Sequence, residues 1–93
     1  MRARFVVRGT VQGVYFRAEA AAAARRLGLS GRVWNRADGA VGLVAEGDEA
    51  ALAELERWLH AGPELAEVRA VERSAGEGEG RYGDFRVSSG PAE

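Results

Sequence analysis

The chain has no cysteine and no lysine, one histidine, one asparagine, one glutamine and one methionine. Without thiols there is no disulfide, thiolate nucleophile or thiolate metal site. The lone histidine, His60, cannot build a metal cluster. It falls near the end of a helical pattern and far from the glycine-rich segment described below, so it reads as a surface residue and leaves no Ser-His pair. No apolar run reaches the length of a membrane span or a signal peptide, although Arg2, Arg4 and Arg8 crowd the N-terminus. The expectation is a soluble cytoplasmic protein. A net charge of −1 with no run of like charge gives no argument for a nucleic-acid or membrane partner. At 93 residues the chain is expected to be one domain, 1–93, with a modest core. Few Asn, Gln, Cys and Met beside many Ala, Arg, Gly and Glu suit a GC-rich genome and life at high temperature.

What is present is strongly patterned. Residues 3–8 alternate, with Ala3, Phe5 and Val7 on one face and Arg4, Val6 and Arg8 on the other, which predicts a strand. Residues 17–27 have high helix propensity, with Phe16, Ala20, Ala23, Ala24 and Leu27 in a stripe and Gly28 as a stop. Residues 31–37 and 40–47 read as strands joined through Asp38-Gly39, a hairpin signal. Asp48 is placed to cap a second helix with Leu52, Leu55 and Leu59 on its buried stripe, ended by Gly62-Pro63. Residues 67–74 alternate again, 75–83 form a Gly/Glu-rich loop expected to be mobile, 84–88 make a short last strand, and 89–93 a loose tail. This order predicts an α+β, ferredoxin-like βαββαβ sandwich: an antiparallel sheet with two helices on one face and the first strand central, beside the third.

Such a fold hosts many functions, so the site must decide. The segment Gly9-Thr10-Val11-Gln12-Gly13-Val14-Tyr15-Phe16-Arg17 joins the first strand to the first helix. Its two glycines permit a tight curve with N–H groups pointing inward, and the helix start adds unpaired N–H groups and the positive dipole end. A phosphate suits that concavity, and Arg17 adds a planar guanidinium at its rim. A plain strand-to-helix connection is the competing reading. The segment is not a nucleotide P-loop, because no Lys-Ser/Thr follows the second glycine. Asn35 shares parity with Val33 and so faces the helix-covered side, where its amide can orient a water. A turn-forming role ahead of Asp38-Gly39 is the alternative.

GTVQGVYFR followed by GRVWNRADGAV resembles the acylphosphatase pattern G-x-V-Q-G-V-x-F-R and then an Asn before a D-G-x-V turn. The second helix, its Gly-Pro exit and Asp84-Phe85 are similar too, so the resemblance spans nearly the whole chain. One departure is Arg32, where many relatives have an aromatic residue; the tryptophan here is Trp34. The resemblance implies metal-free, cofactor-free hydrolysis of an acyl phosphate to carboxylate and inorganic phosphate. Carried onto this chain, the backbone N–H groups of Gln12, Gly13, Val14, Tyr15, Phe16 and Arg17, with the Arg17 guanidinium, hold the phosphoryl oxygens. Asn35 orients the attacking water. The implied partner is a small-molecule acyl phosphate, with the protein expected to be a monomer. Two other functions compete. An RNA-binding sheet needs aromatics on the first and third strands, where this chain offers Arg4, Val6, Arg8, Gly42, Val44 and Glu46. A catalytically idle anion-binding or regulatory domain is the other; the joint presence of Arg17 and Asn35 argues against it.

Overall fold

The computed structural model describes residues 1–77, 80 and 82–90. Its elements run β1 (Arg2–Thr10), α1 (Phe16–Arg26), β2 (Ser30–Asn35), β3 (Val41–Glu46), α2 (Glu49–Ala61), β4 (Glu67–Ala75) and β5 (Phe85–Val87). The strands form one sheet in the order β4-β1-β3-β2-β5. β1 is central and antiparallel to both β3 and β4, as the right-handed crossover rule requires. The expected all-antiparallel sheet needs one correction. β5 runs parallel to β2, with Gly31 opposite Phe85 and Val33 opposite Val87, so the sheet is mixed.

The core lies between the sheet and the helices. Phe5 and Val7 of β1, Val33 of β2, Leu43 of β3, Ala20, Ala21, Ala23 and Ala24 of α1 and Leu52, Leu55 and Leu59 of α2 are all buried there. The alanine face brings α1 close to the sheet at little side-chain entropy. Residue Gly28 ends that helix in a Schellman arrangement: Gly28 N–H donates to Arg25 O at 3.0 Å and Leu29 N–H to Ala24 O at 3.0 Å. Asp48 occupies the N-cap of α2, but its side chain makes no capping hydrogen bond.

One further expectation changes. Gly9 does not help form the curve. It sits inside β1 at φ 137°, where the β1–β4 register shifts, and a Cβ there would lie 2.1 Å from Glu67 O. It is a bulge glycine, required because a neighbouring strand's backbone passes too close for a side chain. The segment after β4 is pinned where it is described. Arg2 forms a buried ion pair with Glu46 and donates to Glu77 O, Tyr82 N–H donates to Glu46 Oε1, and the guanidinium of Arg32 lies 4.8 Å over the Tyr82 ring. These residues cover the sheet face away from the helices. Trp34 lies on that face against Gly42, at which even a Cβ would meet the indole at 2.7 Å. Residues 78, 79 and 81 of the loop and 91–93 of the tail lie outside the described residues.

Candidate active site

The turn from β1 into α1 is shaped by which of its side chains are apolar. Val11 and Phe16 are buried and Val14 packs partly against the core, while Gly13 and Tyr15 face outward. Phe16 meets Trp58 of α2 edge-on, with ring centroids 5.7 Å apart. Apolar anchors therefore hold the curve from beneath, and its backbone is bent outward. Gly13 has φ 77° and Tyr15 φ 64°, the one non-glycine residue at positive φ among those described. Gly13 meets that geometry without a Cβ penalty. For Tyr15, 75 % exposed, it stores about 1 kcal/mol of strain. Among the described residues, none of the backbone N–H groups from Gln12 to Arg17 donates to a protein acceptor.

The mouth of this turn is an open hollow of about 360 Å³, lined by Val11, Gly13, Tyr15, Phe16, Arg17, Ala18, Asn35 and Val87. The structure thus brings Arg17 and Asn35 to one cavity, with Gly13, Tyr15 and Phe16 beside them. Gln12 and Val14 do not line it. Arg17 is half-buried and makes no hydrogen bond or ion pair among the described residues. That sets it apart from Arg8, Arg32, Arg36 and Arg73, all of which are bound to carboxylates. Asn35 ends β2 opposite Val41. Its Oδ1 is buried and has no hydrogen-bond partner, an arrangement that costs roughly 1–3 kcal/mol unless something donates to it.

Two supports surround these residues. The hairpin after Asn35 closes with Arg36 N–H donating to Ala40 O at 2.8 Å. Asp38 accepts from the Arg36 guanidinium at 3.0 and 3.1 Å and from Ala40 N–H at 3.1 Å. The Arg36 guanidinium first, then the Ala40 amide, hold the Asp38 carboxyl down at about 2. The other support is β5, which the sequence reading placed as a strand but not in the site. Arg25 Nε donates to Phe85 O at 2.9 Å and Ser88 N–H to Val33 O at 2.8 Å, so Val87 becomes a wall of the hollow. The signal for Val87 was its shared parity with the apolar Phe85; what was missing was the parallel register. His60 is exposed on α2. Among the described residues no three His, Cys, Asp or Glu side chains gather to hold a metal, and no helix is long and apolar enough to cross a membrane.

These features define a class: a small ferredoxin-like α+β domain with an open hollow, bordered by Arg17 and Asn35, at the mouth of its first crossover. The chain belongs to the acylphosphatase family, whose family model matches residues 3–87. An acylphosphatase of Anaeromyxobacter dehalogenans (strain 2CP-C) is 48% identical over 87 residues, covering 94% of each chain. One from Xanthomonas euvesicatoria pv. vesicatoria (strain 85-10) is 55% identical over 73 residues, covering 78% of this chain and 83% of the relative. The solved structure of an acylphosphatase from Coxiella burnetii superposes with a TM-score of 0.88 at 38% identity, covering 94% of this chain and 90% of that one.

Proposed function

We propose that this chain hydrolyses acyl phosphates, R–CO–O–PO₃²⁻, to a carboxylate and inorganic phosphate, with the hollow between the β1–α1 turn and the end of β2 as its active site. The observation that carries the reading is the meeting of three unsatisfied groups at one cavity. Backbone N–H groups without acceptors, a guanidinium without a carboxylate and a buried amide oxygen without a donor all border it. An acyl phosphate and one water supply what each lacks.

The N–H groups of Gly13, Tyr15, Phe16 and Arg17, which border the hollow, and the Arg17 guanidinium hold the phosphoryl oxygens and neutralise charge as it spreads over them. Asn35 Oδ1 accepts from the attacking water and aims it at phosphorus, in line with the leaving carboxylate. The bond from water oxygen to phosphorus forms as the bond from phosphorus to the acyl oxygen breaks. The carboxylate leaves with the electron pair, and the water's proton passes to a phosphoryl oxygen. Because the transition state is loose, positioning and electrostatics supply most of the acceleration. A carboxylate leaves readily, so no general acid is required, and no residue of the hollow needs to serve as base.

The same reading takes residues 1–93 as one domain acting as a cytoplasmic monomer; light scattering should return the mass of one chain, and twice that mass would refute the monomer. The relatives' activity favours an enzyme over an idle anion-binding module. The test is hydrolysis of benzoyl phosphate in the presence of EDTA, with inorganic phosphate as inhibitor. Turnover insensitive to chelator and competitively inhibited by phosphate is expected. Phosphate binding without turnover would leave only the anion-binding role, and activity abolished by EDTA and restored by a divalent ion would overturn the mechanism.

A further inference from the structure

The chain's single glutamine lies inside the phosphate-binding turn, yet its side chain does not border the hollow. It reaches away, across the gap to the β2–β3 hairpin, where Nε2 donates to Arg36 O at 2.8 Å and to Ala40 O at 3.0 Å. Both carbonyls belong to the residues whose backbone bond closes the hairpin, and Arg36 directly follows Asn35. Both N–H bonds of one carboxamide are thus used on two points of one turn. A single hydrogen bond would leave the turn free to pivot; two fix its orientation as well as its distance.

We propose that Gln12 is a positioning residue for the hydrolytic reaction: its carboxamide clamps the β2–β3 hairpin to the phosphate-binding turn and so sets where Asn35 stands relative to the bound phosphoryl group. The proposal rests on the function just argued. It gives the two amide side chains a division of labour, one touching the water and the other holding its partner in register. Asn35 and the turn come from different parts of the sheet, since β2 does not pair with β1 and meets it only through β3. Sheet twist and breathing therefore act directly on their separation, and the Gln12 clamp spans that gap.

Neither carbonyl is orphaned when the clamp is removed. Ala40 O still accepts from Arg36 N–H, and Arg36 O from Gly39 N–H at 3.3 Å. Gln12→Ala should therefore fold. The phosphate is held by backbone N–H groups and Arg17, so its inhibition constant should move by less than about twofold. The catalytic step should suffer, because displacement of a reacting partner by about 1 Å costs on the order of ten- to a hundredfold in rate. Gln12→Glu, close in shape but facing the two carbonyls with a carboxylate instead of donors, should lose kcat similarly.

The deciding experiment is a double-mutant cycle with Asn35→Ala, read by kcat for benzoyl phosphate, phosphate inhibition and melting temperature. If Gln12 acts through Asn35, Gln12→Ala lowers kcat by about tenfold or more in the native background and by less than about twofold when Asn35 is already alanine. Additive losses, a native kcat, or a phosphate affinity that falls in step with kcat would each overturn the proposal. A spectroscopic readout stands beside the kinetics. Asn35 and Gln12 carry the only side-chain carboxamides, so a Gln12→Ala ¹⁵N spectrum contains one carboxamide NH₂ pair, that of Asn35. That pair should shift or broaden relative to the native protein; a pair that stays in place refutes the clamp. Should Asn35→Ala alone retain native turnover, the fault lies in the assignment of the water's partner, a failure distinct from an unmoved Gln12 variant in an otherwise sensitive site.

Discussion

Replacing Asn35 by alanine should move stability and activity in opposite directions. Its Oδ1 is buried without a protein donor, so the folded protein holds an acceptor whose burial costs roughly 1–3 kcal/mol unless a water donates to it. Alanine removes that acceptor. It also removes the contacts of a half-buried side chain at a strand end, which offsets part of the gain. Neither residue is a good strand former, so propensity contributes little. The net expectation is a variant as stable as the native protein or more stable by about 1 kcal/mol, which for a domain of this size raises Tm by about 4–8 °C. Activity should fall by about 10²–10³ in kcat, or about 3–4 kcal/mol, the usual loss on removing one preorganised polar partner of a transition state. Phosphate affinity should not change, since the lost interaction is with water and not with the anion. The assays are reversible thermal unfolding, single-turnover hydrolysis of benzoyl phosphate and calorimetry with inorganic phosphate. A variant that is destabilised by more than about 1 kcal/mol and still turns over near the native rate would refute the reasoning, because Asn35 would then be a structural residue with a solvated acceptor.

Arg17→Ala should differ from Asn35→Ala by losing phosphate affinity and turnover together, as its guanidinium contacts the anion before and during reaction; calorimetry and kinetics on one preparation separate the two. Gly9→Ala should cost at least about 2 kcal/mol in denaturant unfolding, because its Cβ would lie 2.1 Å from Glu67 O and 2.9 Å from Arg69 N, so the β1–β4 bulge must open. Glu46→Ala should cost about 3–5 kcal/mol by the same measurement, since it strands the Arg2 guanidinium away from water, whereas the exposed pair of Arg57 with Glu54 should prove nearly silent on replacement. The Asp38 carboxyl, held at about 2 against an ordinary 3.8, binds its proton less readily in the folded chain than in the unfolded one. Its contribution is therefore complete above about pH 4 and disappears as pH falls through about 2. Tm should drop across that window in the native protein and less steeply in Asp38→Asn.

The elements with strong local periodicity were legible in the sequence. The leucine stripe of α2, the alanine face of α1 and the alternation of β1 each report one covered face, and together with the loop lengths they specify the sandwich. Site placement was legible for a similar reason. Asn35 shares parity with Val33, which sets the side of the sheet that it faces, and Arg17 falls at the helix start. What escaped is what depends on a second strand. Gly9 looked like a turn residue, because no local pattern announces that β4 passes 2.1 Å from where its Cβ would be. The edge position of β5 was equally hidden, since three residues carry no register and a parallel neighbour leaves no turn signal between the partners. The glycine-rich stretch before β5 looked loose by composition. Its hold on the sheet comes from Arg2, Arg32 and Glu46, residues 30 or more positions away.

The last wall of the hollow, Val87, is made seventy residues after Arg17. At a translation rate of about 5–20 residues per second, several seconds separate the synthesis of the β1–α1 turn from that of the strand that closes it in. Until that strand is made the chain carries Arg17 without the wall opposite it. A chain interrupted before residue 85 lacks Val87 and with it one wall of the hollow.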